Sequence, residues 1–267
     1  MLKNIIKAVA KRGGYTIVPD NQVTILWGGQ GVDAVKALMT RLRPIDAGFE
    51  LKRFGGDSDG AYLLPNDLEG IEAVFSPGVA DVATFEEQMA ELGMNCFLAD
   101  ASVESSPVSG PRIHFLKKFI GIADSGEYIR MDTWVNQNAP GKSDLILQMD
   151  IEGGEWPALM SASDELLGRF RIIVIELHDT VRLLDCSMRR VVLERLLLTH
   201  SVVHSHVNNA CSIIEKAGLE FPCCLELTFL RRDRGMAEGY SKTIPHTLDV
   251  ANLTDRPMID LPECWLN

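Results

Sequence analysis

DLILQMDIEGGEW, residues 144–156, joins a buried strand to an abrupt acidic end. Leu145, Ile146, Leu147 and Met149 form a nearly continuous apolar run, the pattern of a parallel strand covered on both faces. The run stops at Asp150-Ile151-Glu152. A Gly-Gly pair follows, then a segment opened by Glu155 and Pro157, a residue suited to a first helical turn. Open α/β sheets place their ligands at the carboxyl ends of such strands. The stretch therefore predicts an α/β enzyme with its chemistry at this strand tip.

The surrounding chain alternates in the same way. Strands are predicted at Ile71–Phe75 and Cys96–Leu98, over Ile113–Ile122, in the Tyr128–Trp134 region, and at Arg171–Leu177, Ser201–Val207 and Cys224–Leu230. Helices are expected at Thr84–Leu92 and Ser187–His200, and another carries Val35, Leu38, Met39 and Leu42 at helical spacing. Such alternation implies a parallel, doubly wound sheet. Three units are read along the chain: a helical extension over 1–50, a catalytic domain over 51–235, and an extended tail over 236–267 packed on that domain.

Composition narrows the function. The 267 residues carry a net charge of −11, which argues against a nucleic-acid partner, because that affinity rests on Lys and Arg neutralising phosphates. Six cysteines show no CxxC spacing and read as reduced, buried thiols of a cytoplasmic protein. No apolar run is long enough to span a bilayer. Met1–Arg12 sets Leu2, Ile5, Ile6 and Val9 against Lys3, Lys7, Lys11 and Arg12. That segment either docks on its own domain or a second subunit, or rests on an anionic inner membrane face. Gly28-Gly29-Gln30-Gly31 lacks the Lys-Ser/Thr of a phosphate loop and reads as a turn.

Three constellations could carry chemistry. The turn Ser76-Pro77-Gly78-Val79-Ala80-Asp81 joins a strand to a helix, where a glycine lets a ligand approach the backbone. About twenty residues on, Asp100 ends the next strand, where a carboxylate can hold a ribose or simply cap a turn. The second constellation, Arg53–Tyr62, reads RFGGDSDGAY. It is either a tight hairpin or a loop that closes over a cofactor, and it lacks the bidentate Glu of a calcium-binding EF-hand. The third is the set of strand tips Asp150/Glu152, Glu176/His178/Asp179 and His204/His206/Asn208, which share one edge if their strands run parallel. Asp150, Glu176 and His206 could bind a divalent cation such as Mg2+ or supply a general base.

These pieces, in this order, resemble the FkbM-type family of S-adenosylmethionine-dependent methyltransferases. The matching segments are RFGGDSDGAYLLP (53–65), SPGVADVATFE (76–86), the Asp100 tip, QMDIEGGEW (148–156), VIELHD (174–179), HSHVNN (204–209) and LELTFLRRD (225–233). The resemblance implies a Rossmann-like, seven-stranded sheet with an antiparallel last strand. It also implies methyl transfer to an oxygen of a sugar, glycan or related natural product. Cofactor contacts would fall on Asp57, Gly60, Gly78, Val79, Ala80, Asp81, Glu86, Asp100, Ala101, Gly121 and Ala123, and catalysis on Asp150, Glu176, His178 and His206, with His206 as base. Many methyltransferases place an acid two residues before the turn glycine and a second glycine two after it. Here Ser76 and Ala80 stand there, so Asp81 or the Asp57/Asp59 loop is left to supply the carboxylate. A nicotinamide-dependent sugar oxidoreductase and a non-catalytic interaction protein are the rival readings, and the sequence leaves monomer and homo-oligomer both open.

Overall fold

The computed structural model describes residues 31–57, 59–235 and 239–266. The basic amphipathic segment and the first three residues of the Gly-rich turn lie outside them. Among the described residues no helix is long and apolar enough to cross a membrane.

Helix α1 (Gly31–Leu42) buries Val35, Leu38, Met39 and Leu42, the four residues whose spacing predicts it. A hairpin follows, β1 (Leu51–Phe54) pairing antiparallel with β2 (Tyr62–Pro65). The sheet then begins: β3 (Ile71–Pro77), helix α2 (Thr84–Glu91), β4 (Asn95–Ala99) and β5 (Ile113–Leu116). The apolar stretch over 113–122 breaks at Lys117-Lys118, so its second half is a separate short strand, β6 (Phe119–Gly121), paired with β7 (Tyr128–Arg130).

The Tyr128–Trp134 strand needs correction. Only three residues are extended; helix α3 (Met131–Asn138) takes over, burying Met131, Trp134 and Val135 at i, i+3 and i+4. Then come β8 (Asp144–Met149), α4 (Glu155–Ser161), α5 (Asp164–Leu167), β9 (Phe170–His178), α6 (Ser187–Thr199) and β10 (His200–Val207). A hairpin missed in the sequence, β11 (Ile213–Lys216) with β12 (Leu219–Pro222), precedes β13 (Cys224–Arg231).

Seven strands make one sheet in the order β10-β13-β9-β8-β3-β4-β5. The pairs β3–β4, β3–β8, β4–β5 and β8–β9 are parallel, and β13 runs antiparallel to both neighbours. The last strand is thus the reversed one, as the resemblance implies, and β10 keeps the direction of the other five. Both faces are dry. Leu145, Leu147 and Met149 of β8 enter one core with Phe75, Trp134 and Trp156, while Ile146 enters the other with Val74, Leu98, Phe85 and Met89. Side chains alternate along a strand, so an unbroken apolar run is what two-sided burial demands. Helix α1 and Leu261 and Trp265 of the tail pack into the first of these cores.

After β3 the chain moves outward to β4 and β5, then returns to lay β8 on the opposite side of β3. The crevice between the tips of β3 and β8 is the topological switch point, where such sheets bind ligands.

Candidate active site

Gly78 follows β3 at that switch point with φ +86°. A Cβ built there would lie 1.6 Å from the carbonyl oxygen of Asp150. Backbone packing against the tip of β8 therefore demands this glycine, before any ligand is considered. Asp100, at the tip of β4, folds back onto the same turn: its carboxylate accepts the Ala80 N–H at 3.1 Å and the Ser102 N–H and Oγ–H at 2.7 and 2.6 Å.

Two cavities meet at Gly78, Ala80 and Asp150. The larger, about 480 Å³, lies between Asp100, Ser102, Ile120, Tyr128 and Ile151. The smaller, about 210 Å³, is bounded by Asp59, Gly60, Tyr62, Asp81, Glu86 and Gln148. Of the residues expected to touch a cofactor, Gly78, Ala80 and Asp100 line the first, and Gly60, Gly78, Val79, Ala80, Asp81 and Glu86 line the second. Asp57, Ala101, Gly121 and Ala123 line neither. Their neighbours Asp59, Ser102 and Ile120 do, each one or a few residues away.

The acid missing at position 76 is present in space. Glu86 reaches across from α2 to the Ser76 hydroxyl, which also meets the Gln148 side chain; Gln148 in turn donates to the Tyr62 hydroxyl at 3.0 Å. Burial pushes the Glu86 carboxyl up to about 7.

The strand tips converge around one histidine. His178 Nδ1 lies 3.1 Å from Glu155 Oε1, an oxygen that also accepts the N–H groups of Ile151 and Gly153. Its Nε2 faces Glu152 at 3.3 Å, Glu176 at 3.5 Å and Asp150 at 3.9 Å. Glu155, fully buried, therefore orients the Gly-Gly turn and the imidazole together; Glu152 is exposed. Burial, then the charge of Glu176, pushes the Asp150 carboxyl up. Burial, then Glu226, does the same to Glu176. Burial opposes charge on His178, but the Glu155 hydrogen bond and the charges of Glu155, Glu176 and Asp150 outweigh it and raise its pKa. Asp179 points outward toward Arg189.

His206 does not join this group. Its Nε2 contacts Asn252 Oδ1 at 3.0 Å, its Nδ1 lies 3.8 Å from Asp249, and burial lowers its pKa. The proposed ligand set Asp150, Glu176 and His206 is thus not assembled: β13 separates β10 from β9, and Glu226, not His206, lies opposite Glu176. The HSHVNN segment mainly fastens the tail, His204 to Asp249 and Asn209 to the carbonyls of Leu253, Arg256 and Pro257. Asn208 alone turns to the site, donating to Glu176 at 3.1 Å.

Sequence reasoning missed Glu226, Gln148 and Asn252. The first two are polar residues inside otherwise apolar strands, LELTFL and LILQM, the same signal that singles out Asp150. Burial outweighs the Asn252 hydrogen bond and pushes Glu226 up to about 8. Asn252 bridges Glu226 and Asp59 with its amide at 2.7 and 2.9 Å, and no local pattern marks it.

A family model described as the methyltransferase FkbM domain matches residues 67–190. Those residues are similar to the methyltransferase FkbM domain. The matched segment contains Gly78, Asp100, Asp150, Glu155, Glu176 and His178, whereas Asp59, Glu226 and Asn252 flank it in sequence; Asp59 lines the smaller cavity, and Asn252 ties it to Glu226. This match supports S-adenosylmethionine-dependent methyl transfer. No curated protein sequence matches the chain. Among solved structures, the N-methyltransferase NodS from Bradyrhizobium japonicum WM9 is similar at 11% identity, over 61% of this chain and 86% of that one, with a TM-score of 0.30. Magnesium protoporphyrin IX methyltransferase (ChlM) from Synechocystis PCC 6803, solved with bound SAM, is similar at 12% identity, over 86% of this chain and 96% of that one, with a TM-score of 0.32. The fold assignment rests on the strand order and directions of the chain itself.

Proposed function

We propose that this chain transfers the methyl group of S-adenosylmethionine to a hydroxyl of a sugar, glycan or related natural product. The observation that carries the reading is the meeting of the two cavities at Gly78 and Asp150, with a carboxylate cluster on the far side of the junction. The larger cavity has the size of a small-molecule pocket, commonly about 300–1,000 Å³. Its walls suit an adenosine: Asp100 retains lone pairs for ribose hydroxyls, while Ile120, Ile151 and Tyr128 offer an apolar slot. The smaller cavity suits the amino-acid end, because buried Glu86 lacks a cation and would gain one in an ammonium group.

Bound there, the cofactor supplies an activated methyl group. The chain's own residues position the acceptor and take its proton. An aliphatic hydroxyl is hardly ionised at neutral pH, so a base must accept its proton as the oxygen–carbon bond forms. Asp150, made more basic by burial and the charge of Glu176, and Glu176, made so by burial and the charge of Glu226, hold that role. His178 presents its Nε2 to these carboxylates, and Glu155 fixes its ring. Orientation of two bound reactants supplies much of the remaining acceleration.

Calorimetric titration with S-adenosylmethionine, its demethylated product and NAD tests the reading. The first two are expected to bind and NAD is not. Binding of NAD alone favours an oxidoreductase, and binding of none leaves an interaction protein. Transfer of labelled methyl to a panel of glycosides then tests the acceptor class.

A further inference from the structure

We propose that His178, Glu176 and Asp150 form a site for one divalent cation, with Glu152 as an outer carboxylate. The site deepens the methyl-transfer reading and rests on it only for its use, not for its existence.

The orientation of His178 is the first reason. Glu155 Oε1 already accepts two backbone N–H groups, so it is an acceptor toward Nδ1 as well, and Nδ1 carries the hydrogen. A histidine whose Nδ1–H is held by a buried carboxylate presents Nε2 as a ligand atom, the usual arrangement behind metal-bound imidazoles. The second reason is what Nε2 faces. Glu152, Glu176 and Asp150 present oxygens at 3.3, 3.5 and 3.9 Å. One N–H cannot serve three acceptors, and charge-assisted hydrogen bonds are shorter, about 2.7–2.9 Å. Neighbouring ligands on an ion with bonds near 2.1 Å sit about 3 Å apart; the ligand atoms of His178, Asp150 and Glu152 already lie within 4.8 Å of one another, and Glu176 meets the same Nε2 at 3.5 Å.

Two further observations point to a missing partner. Asp150 Oδ1 is sealed from solvent and makes no hydrogen bond. Glu176 is also pre-oriented, its other oxygen held by Asn208 at 3.1 Å. One imidazole among carboxylates suits an ion of the Mg2+–Mn2+ class, and the nitrogen favours Mn2+. The site adjoins the junction of the two cavities, where such an ion can orient an acceptor hydroxyl and make it more acidic.

The test is Mn2+ binding to the chelator-treated, desalted 267-residue chain, followed by calorimetry and by loss of the free-ion paramagnetic resonance signal. One ion per chain is expected, with affinity falling at least tenfold in His178→Gln and severalfold in Glu152→Gln, whose exposed side chain leaves the fold intact. His206→Gln is expected to stay within twofold of wild type. Circular dichroism and binding of the demethylated cofactor check that each variant is folded. Absence of binding at millimolar Mn2+, or equal losses in His178→Gln and His206→Gln, overturns the site. A strong preference for Zn2+ that disappears in Cys224→Ser overturns the Asp150 assignment, because Cys224 shares a ligand cluster with Glu176 and His178. Mn2+ binding without S-adenosylmethionine binding leaves the ion site standing and removes the methyl-transfer reading; the converse result does the reverse.

Discussion

Strands β8, β9 and β13 carry charged residues at both ends, and the two ends treat them in opposite ways. At one end Asp144 sits between Arg171 and Arg231 at 2.7 Å each, and Arg171 and Arg234 share Asp67. Signs alternate, and although burial raises the Asp144 pKa, the two guanidinium groups outweigh it and hold it below the usual carboxylate range. At the other end Asp150, Glu176 and Glu226 crowd together with Asp59 and Glu155, and His178 is the imidazole among them. The first end is neutralised internally. The second stores a demand for protons, cations or polar ligands, and that demand is the mark of a site. The difference teaches that charge at a strand end is informative only together with its partners.

Substitutions can break this contrast. The largest stability effect is expected at the paired end: Arg171→Met strands Asp67 and Asp144 and should cost about 3–5 kcal/mol in denaturant unfolding. The cofactor affinity of the remaining folded protein should be unchanged. The crowded end should behave in reverse. Asp150→Asn and Glu176→Gln are expected to lower methyl transfer by about 10²–10⁴-fold, the range for a lost general base, with thermal midpoints equal to or above wild type. Wild-type rates in both variants would remove them from the mechanism.

Smaller effects appear as pH dependence. Glu86 has its folded pKa raised from 4.5 to about 7. Between those values the unfolded chain has released the proton and the folded chain keeps it, so stability falls as pH rises through this window. Glu86→Gln should abolish that fall, worth on the order of 2 kcal/mol, while weakening S-adenosylmethionine binding. His200 lies at the paired end of the sheet, its Nε2 2.7 Å from the Phe170 carbonyl oxygen, and burial lowers its pKa from 6.5 to about 4. Here the unfolded chain binds the proton first, so stability is lost as pH falls from 6.5 toward 4. His200→Gln should flatten this acid limb by a similar or smaller amount in pH-dependent melts.

The core strands were legible because two-sided burial leaves an unbroken apolar run, as in Leu145–Met149 and Arg171–Leu177. The short elements were not. Tyr128–Asn138 holds too few residues to separate a three-residue strand from the helix after it, and β11–β12 lacks a marked turn signal. At the site, Asp150, Glu176 and His178 could be read because each interrupts or ends an apolar run. The pairing of His206 could not, because its partners Asp249 and Asn252 arrive from more than forty residues away. Glu155 was read as a helix start; only the fold shows its carboxylate turned back on the Gly-Gly turn and on His178.

The contact between Gly78 and the Asp150 carbonyl has a consequence for how this enzyme can diversify. With no room for even a methyl group between them, the glycine turn and the acidic tip are locked together, and neither can drift without dragging the other. On the proposed function, adaptation to acceptors of different shape is left to the opposite rim, the Asp59 loop and the Asn252 segment. That rim is joined to the floor by side-chain hydrogen bonds that can be exchanged one at a time.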